Sequence, residues 1–419
     1  MSDVIILGMD KTRYLQQDIQ TICFDASKMA FISGPRQCGK TTMAKQMLHQ
    51  RKAGEYCNWD EVKLRRLWTK DPSQIITNIK QHNNTIPLVI LDELHKAKGW
   101  KRNLKGVFDT LKLRCDILVT GSARLNVYRK GSDSLLGRYY HFRLHPFSLA
   151  ELCSKMPYQT PDDMLHIVFS KEINSNAKTE ECLQKLCQFG SFPEPYLAAD
   201  MRRLNLWQRN RIEKIVREDL RDLSRLPELS QVEMLVSLLP ERVAQPLSMR
   251  SLAEDLEVSI PTVKRWLNYL NELYYCYVLK PYSKSLKRSI KKEGKLYLWD
   301  WSEVPDSGAR FENLIAGHLL KYCNYLTDTG IGKFELFYLK NIDKQEIDFL
   351  ITHNSKPWLP VEAKESADSP SPNWKVFLSR LSCRYAIQIV QKNNIYKKYY
   401  YDDTELLIIS ADKFLNGLV

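Results

Sequence analysis

Gly34-Pro35-Arg36-Gln37-Cys38-Gly39-Lys40-Thr41 carries two glycines, a lysine and a hydroxyl in the spacing GxxxxGK[ST]. A loop of this kind binds phosphate. Gly34 and Gly39 allow a tight turn without a Cβ clash. Backbone N–H groups and the N-terminus of the following helix converge on one point. Lys40 would reach the β- and γ-phosphates, the Thr41 hydroxyl would take Mg²⁺, and Thr42 completes the nucleotide-contacting run. Leu88-Val89-Ile90-Leu91-Asp92-Glu93 is an apolar run ending in two carboxylates. Asp92 would hold Mg²⁺ through water and Glu93 would polarise the attacking water, because phosphoryl transfer asks mainly for positioning and charge neutralisation. In Thr120-Gly121-Ser122-Ala123-Arg124, a polar side chain at a strand tip would touch the γ-phosphate or the water. Ser122 or Thr120 is the candidate; a Ser/Gly turn fits the same residues.

A second constellation lies towards the C-terminus. Asp348 in Glu346-Ile347-Asp348-Phe349 is followed by Glu362-Ala363-Lys364, the pattern written PD-(D/E)xK. Alternate residues of a strand share a face, so Glu362 points with Lys364, and Glu346 with Asp348. Two carboxylates there would hold Mg²⁺ and Lys364 would orient or activate a water. Glu312, near the start of a helix, would supply a third acid. The same residues also suit a charged strand end in a nuclease-like fold kept for structure. Between the two constellations, Lys264 and Arg265 stand near the start of a helix that follows a Ser259-Ile260-Pro261 turn. Ser283 to Lys295 holds six Lys/Arg, among them Lys284, Lys287, Arg288, Lys291, Lys292 and Lys295, against one Glu. Such a basic hairpin tip would grip phosphates, with Lys264 and Arg265 on a recognition helix. Packing or protein contact is the other use of this pattern.

These groups need elements to position them. Ala30-Phe31-Ile32-Ser33 reads as a buried strand running into the loop, and Thr42 to Leu48 as the helix after it. Pro87 to Leu91 and Asp116 to Thr120 are further buried strands. Short apolar runs alternating with helical patterns over residues 31–150 predict a parallel α/β sheet. Residues 155–245 are mostly helical in pattern, with Pro193 and Pro195 expected to form a rigid turn. Residues 251–258 and 262–270 read as two helices, and 275–279 and 295–299 as a hairpin: a winged helix-turn-helix pattern. Residues 305–419 return to α/β, with a helix from about Ala309.

The 419 residues suggest two to four domains, and 44% hydrophobic content is enough for real cores. A formal net charge of +13 fits a polyanionic partner, most simply nucleic acid. Ten scattered cysteines, without a CxxC pair or zinc spacing, lead us to expect reduced thiols and a cytoplasmic location. No signal peptide, membrane span or internal repeat is expected.

The motifs also occur in a recognisable order. Gly34 to Thr42, Leu91-Asp92-Glu93-Leu94-His95-Lys96 and Thr120-Gly121-Ser122 are followed by Leu136-Gly137-Arg138-Tyr139 and Leu144-His145-Pro146-Phe147-Ser148-Leu149-Ala150-Glu151-Leu152. This resembles, over nearly the whole chain, a bacterial and archaeal family of AAA+-type ATPases. Members carry a C-terminal domain of unknown function related to restriction endonucleases. Gly190-Ser191-Phe192-Pro193-Glu194 is similar to that family's Gly-Gly-Phe-Pro-Glu, departing at Ser191, and Cys38 stands where the family has a small apolar residue. The resemblance implies ATP and Mg²⁺ as cofactors and a homo-oligomer in which a neighbouring subunit's arginine completes the site. Arg138 is the first candidate and Arg124 the second.

The expected architecture is therefore a P-loop NTPase parallel sheet (1–150), a helical lid or linker segment (151–245), a winged helix-turn-helix (246–304) and a restriction-endonuclease-like α/β domain (305–419). The expected activity is Mg²⁺-dependent binding and hydrolysis of ATP, acting on or near DNA. An ATP-gated, metal-dependent DNA nuclease and a non-hydrolysing, nucleotide-loaded switch or scaffold for a protein partner are the alternatives.

Overall fold

A computed structural model describes residues 11–77, 85–111, 115–121, 135–153, 160–170, 176–220, 228–283, 293–366 and 369–419. The chain divides into two units, Met1–Pro146 and Phe147–Val419. In the first, five strands form one sheet: β1 (Met29–Ser33), β2 (Gly54–Asn58), β3 (Leu88–Asp92), β4 (Asp116–Thr120) and β5 (Tyr139–Arg143). Their order is β2-β3-β4-β1-β5, and every neighbouring pair is parallel. β1 and β3 are buried along their whole length, as a parallel sheet covered on both faces requires. Met29, Phe31, Val89, Leu91, Ile117 and Val119 join Trp68 and Trp100 in one core on one face of the sheet. The register sets Asp92 beside Thr120, and Thr120 beside Ile32, so β1, β3 and β4 end level. The helix Lys40–Arg51 leaves from that edge.

The second unit begins with helices, including Pro161–Ser170, Ala177–Phe189, Pro193–Ala198, Met201–Glu213 and Leu229–Leu238. The rigid turn expected at Pro193 and Pro195 is instead the start of a helix, with Pro193 at its first position. Proline is suited to that place, because its φ is already helical and the missing N–H has no intrahelical partner in the first turn. The helices Met249–Asp255 and Ile260–Glu272 follow. Ser259 caps the second by accepting from the Thr262 N–H, and Pro261 lies in its first turn. Strands β6 (Cys276–Leu279) and β7 (Lys295–Leu298) pair antiparallel. The basic tip residues Lys284, Lys287, Arg288, Lys291 and Lys292 lie outside the described residues.

The helix Ser307–Asp328 then leads into a six-stranded sheet of β8 (Phe334–Lys340), β9 (Glu346–His353), β10 (Lys356–Lys364), β11 (Tyr385–Val390), β12 (Tyr396–Tyr401) and β13 (Thr404–Ser410). The order is β12-β13-β11-β10-β9-β8; β11 runs parallel to β10 and β13, and the other pairs are antiparallel. Among the described residues no helix is long and apolar enough to cross a membrane.

His318, on the helix Ser307–Asp328, is buried as a neutral ring. Its Nε2 accepts from the Leu149 N–H at 3.2 Å, which leaves Nδ1 to donate to the Leu314 carbonyl at 2.8 Å. Burial, aided by the Lys321 charge, lowers its pKa from 6.5 to about 4. A base with a depressed pKa contributes its full stabilisation above the unfolded value and loses it as pH falls through the folded one. The second unit should therefore lose roughly 3 kcal/mol between the two values. Urea unfolding at pH 7 and near pH 4 checks this. His318→Gln, which still accepts and donates but does not titrate, should show a smaller pH dependence.

Candidate functional site

The first unit gathers its motif residues at the C-terminal edge of β1, β3 and β4. Gly34 follows β1, and a Cβ there would stand 2.2 Å from the Leu144 carbonyl oxygen, so the loop needs glycine because the segment after β5 crosses so closely. Gly39 caps the helix Lys40–Arg51 with φ 98°, a left-handed conformation natural to glycine. Lys40 is buried and donates to the Gly34 and Pro35 carbonyls at 3.0 and 2.7 Å, which holds its ammonium over the loop. The Cys38 side chain is buried, with Sγ 3.4 Å from the Leu144 oxygen, so it packs the loop from behind.

Asp92 ends β3 and accepts from three hydroxyls. Thr41 Oγ1 donates to Oδ2 at 2.8 Å, Tyr56 Oη donates to the same oxygen at 2.7 Å, and Thr120 Oγ1 donates to Oδ1. Thr120, one of the two candidates for touching the γ-phosphate, is thus turned towards Asp92. Ser122 and Arg124 lie outside the described residues. Glu93 takes a left-handed conformation, φ 58°, and its N–H donates to the Thr120 carbonyl at 2.9 Å. This backbone turn carries the Glu93 side chain off the end of the strand. His95 Nε2 and Lys96 Nζ lie 3.5 and 3.7 Å from its carboxylate. Burial pushes the Glu93 carboxyl above the ordinary range, against the pull of Lys40 and Lys96. Asp92 and Thr41 are hard oxygen donors already in contact, a set that suits Mg²⁺.

Two side chains of this edge escape a motif search. Arg13 is buried and donates to the Cys38 carbonyl at 2.7 Å and the His145 carbonyl at 2.6 Å, tying the loop to the segment after β5. Tyr56 reaches Asp92 from the neighbouring strand, β2. Arg138 stands elsewhere. It precedes β5, at the opposite end of the sheet from the loop, about 16 Å away for a five-residue strand. Its side chain is 28% exposed, and its guanidinium makes a two-pronged contact with Asp109, at 2.7 and 2.9 Å.

In the second unit, Glu312, Asp348, Glu362 and Lys364 do come together. β9 and β10 pair antiparallel up to Val361 opposite Phe349, so Asp348 and Glu362 follow directly beyond that pair, and the Ala363 N–H donates to Asp348 Oδ2 at 3.0 Å. Glu346 and Lys364 extend the same face, and Lys364 Nζ contacts Glu362 Oε1 at 2.8 Å. The helix carrying Glu312 packs over β8, β9 and β10.

Lys295 also enters this cluster, although its sequence position groups it with the basic hairpin tip. It is the first residue of β7, its side chain is 2% exposed, and its ammonium lies 3.1 Å from Glu312, 3.5 Å from Asp348 and in contact with Glu346. Burial alone would favour loss of its proton; Glu312, Asp348 and Glu346 outweigh that and keep it charged. Tyr297, two residues on, donates to Glu312 at 2.7 Å. Strand phase was the available signal, since Lys295 and Tyr297 alternate with apolar Leu296 and Leu298. Lys264 and Arg265 are exposed on the helix Ile260–Glu272, with Arg265 3.9 Å from Glu228.

Comparison with known proteins adds three family matches. A model described as an AAA domain matches residues 26–153, and two models described as domains of unknown function, DUF8612 and DUF4143, match residues 180–302 and 307–408. An uncharacterised protein of Haemophilus influenzae is 23% identical over 366 residues, covering 82% of this chain and 83% of that protein. One of Mycobacterium tuberculosis is 22% identical over 349 residues, covering 79% and 69%. Among solved structures, AMPPCP-bound DnaA from Aquifex aeolicus aligns with a TM-score of 0.32 at 13% identity, over 62% of this chain and 86% of that one. A point variant of Thermotoga maritima RuvB aligns with a TM-score of 0.28 at 14% identity, over 63% and 88%. Overlaps this loose leave the assignment to the sheet and the family match. Residues 26–153 match the AAA domain, and the parallel sheet of the first unit has the P-loop NTPase fold.

Proposed function

We propose that the chain binds and hydrolyses ATP with Mg²⁺ and acts on or near DNA. The observation that carries the reading is the convergence of Lys40, Thr41, Asp92 and Glu93 at one sheet edge. Thr41 and Asp92 would hold Mg²⁺, which supplies charge neutralisation across the β- and γ-phosphates. Gly34, Pro35, Arg36, Gln37, Cys38, Gly39 and Thr42 form the phosphate-facing loop and helix start. Lys40 binds the phosphates, and Glu93 takes the proton of the attacking water. Tyr56 and Thr120 orient the Asp92 carboxylate; Ser122 remains the candidate for sensing the γ-phosphate. Arg138 is too far from its own loop to serve it, so its proposed part in catalysis is at a neighbouring subunit's site in a homo-oligomer, after exchanging Asp109 for the nucleotide.

Residues 151–245 act as a helical segment, 246–304 as a winged helix-turn-helix, and 305–419 as a restriction-endonuclease-like domain. The common face of Asp348, Glu362 and Lys364 under the Glu312 helix supports the last. DNA contact falls to Lys264 and Arg265 and to the basic tip. Changing Lys287, Arg288, Lys291 and Lys292 together to Ala should weaken binding to all duplexes similarly. It should also flatten the salt dependence by about 0.9 in slope for each phosphate the tip no longer neutralises. ATP turnover without DNA should persist. Fluorescence anisotropy over a salt series, with phosphate release measured in parallel, tests both parts. Unchanged affinity and slope would remove the tip as the DNA-binding element, and absence of turnover with and without DNA would remove the ATPase.

A further inference from the structure

The carboxylates of the second unit invite a divalent cation, but each is already engaged through at least one oxygen, while the buried Glu362 Oε2 has no hydrogen-bond partner among the described residues. Glu312 Oε1 receives both the Lys295 ammonium and the Tyr297 hydroxyl. Asp348 Oδ2 accepts from the Ala363 N–H, and its Oδ1 faces Lys295. Glu346 contacts Lys295 through one oxygen and lies 3.6 Å from Lys340 through the other. Glu362 Oε1 is paired with Lys364. Among the described residues no group of three or more His, Cys, Asp or Glu is placed to hold a metal ion. The donor set does not fit the metal that its sequence pattern implies.

We propose that Lys295 is the resident cation of this centre: its ammonium neutralises Glu312, Glu346 and Asp348 where a nuclease would hold Mg²⁺, so the site takes no divalent ion and cuts no DNA. The backbone around Lys295 leaves it little freedom to withdraw. The Leu279–Lys295 pair closes the hairpin, and the Leu247 N–H donates to the Gly294 carbonyl at 2.8 Å. The Ala244 N–H donates to the Leu296 carbonyl at 3.0 Å. Asn313, next to Glu312, donates to the Leu298 carbonyl and accepts from its N–H, each at 2.8 Å. Strand β7 and the Glu312 helix are thereby fastened side by side. The Lys295 Nζ lies 5.9 Å from the centre of the Tyr338 ring, which closes another side. A buried ammonium deprived of its acids would be strongly unfavourable, as would the acids deprived of it, so each holds the other in place. The inference concerns the second unit alone and does not rest on the ATPase reading.

The test is a Mn²⁺ titration of the full chain without nucleotide, followed by electron paramagnetic resonance. The comparison is among the wild type, Glu312→Gln/Asp348→Asn, Lys295→Met, and Lys295→Met combined with the two acid substitutions. Wild type and Glu312→Gln/Asp348→Asn should bind Mn²⁺ identically. Lys295→Met should gain about one Mn²⁺ per chain, because Glu312, Glu346 and Asp348 are then left without their buried counter-ion, and the combined variant should lose it. A wild-type Mn²⁺ site abolished by Glu312→Gln/Asp348→Asn would overturn the proposal, as would a folded Lys295→Met that gains none. Should Lys295→Met fail to fold, a supercoiled plasmid decides. If it stays intact with Mg²⁺ and wild-type chain, the proposal stands; nicking that Asp348→Asn abolishes overturns it.

Discussion

Glu93→Gln should bind ATP as the wild type does and hydrolyse it about 10²- to 10⁴-fold more slowly, the span that a positioned general base contributes. The amide has the carboxylate's shape and keeps the left-handed turn that lifts residue 93 off the end of β3. It cannot take a proton from water. Asp92 cannot substitute, because its two oxygens already accept from Thr41, Tyr56 and Thr120. Phosphate release together with equilibrium binding of a fluorescent ATP analogue separates the two steps. Wild-type turnover in this variant would place the base elsewhere.

Lys40→Ala should lose nucleotide affinity by about 2–5 kcal/mol, the range for removing one partner of a buried, hydrogen-bonded charge pair. That is a weakening from about thirty-fold to a few thousand-fold. The Lys40 ammonium sits against the Gly34 and Pro35 carbonyls, so it is ordered towards the loop and little entropy remains to be lost when phosphate binds. The fold should survive, because the loop is also held by Arg13 on the Cys38 carbonyl and by the glycine cap at residue 39. Thermal melting of the variant against wild type checks that the weaker binding does not come from unfolding.

The clustering of these motif residues at the ends of β1, β3 and β4 is legible in the sequence because its information is local. The spacing from Gly34 to Thr41 sets the loop geometry by itself, and Asp92 announces itself as the acid ending an apolar strand. What stayed hidden depends on strand order and on contacts distant in sequence. Tyr56 matters only because β2 lies next to β3, and Arg13 because the Cys38 and His145 carbonyls meet beside it. Thr120 reads as a strand-tip hydroxyl, but whether it faces phosphate or Asp92 depends on the register of β3 with β4. Charge along the chain groups Lys295 with the basic tip; its phase in β7, shared with Tyr297, sends it inward instead. In Pro193-Glu194-Pro195, proline suits a turn and a helix's first turn equally, and the neighbouring packing selected the helix.

Whether the Lys40–Thr41–Asp92–Glu93 edge is an ATPase site is decided by steady-state phosphate release from Mg²⁺-ATP by wild type and Lys40→Ala, purified side by side. Wild type should turn over Mg²⁺-ATP, with release suppressed by EDTA and reduced to background in Lys40→Ala. Equal phosphate release from the two proteins, or none from a folded wild type that binds ATP, would contradict that assignment.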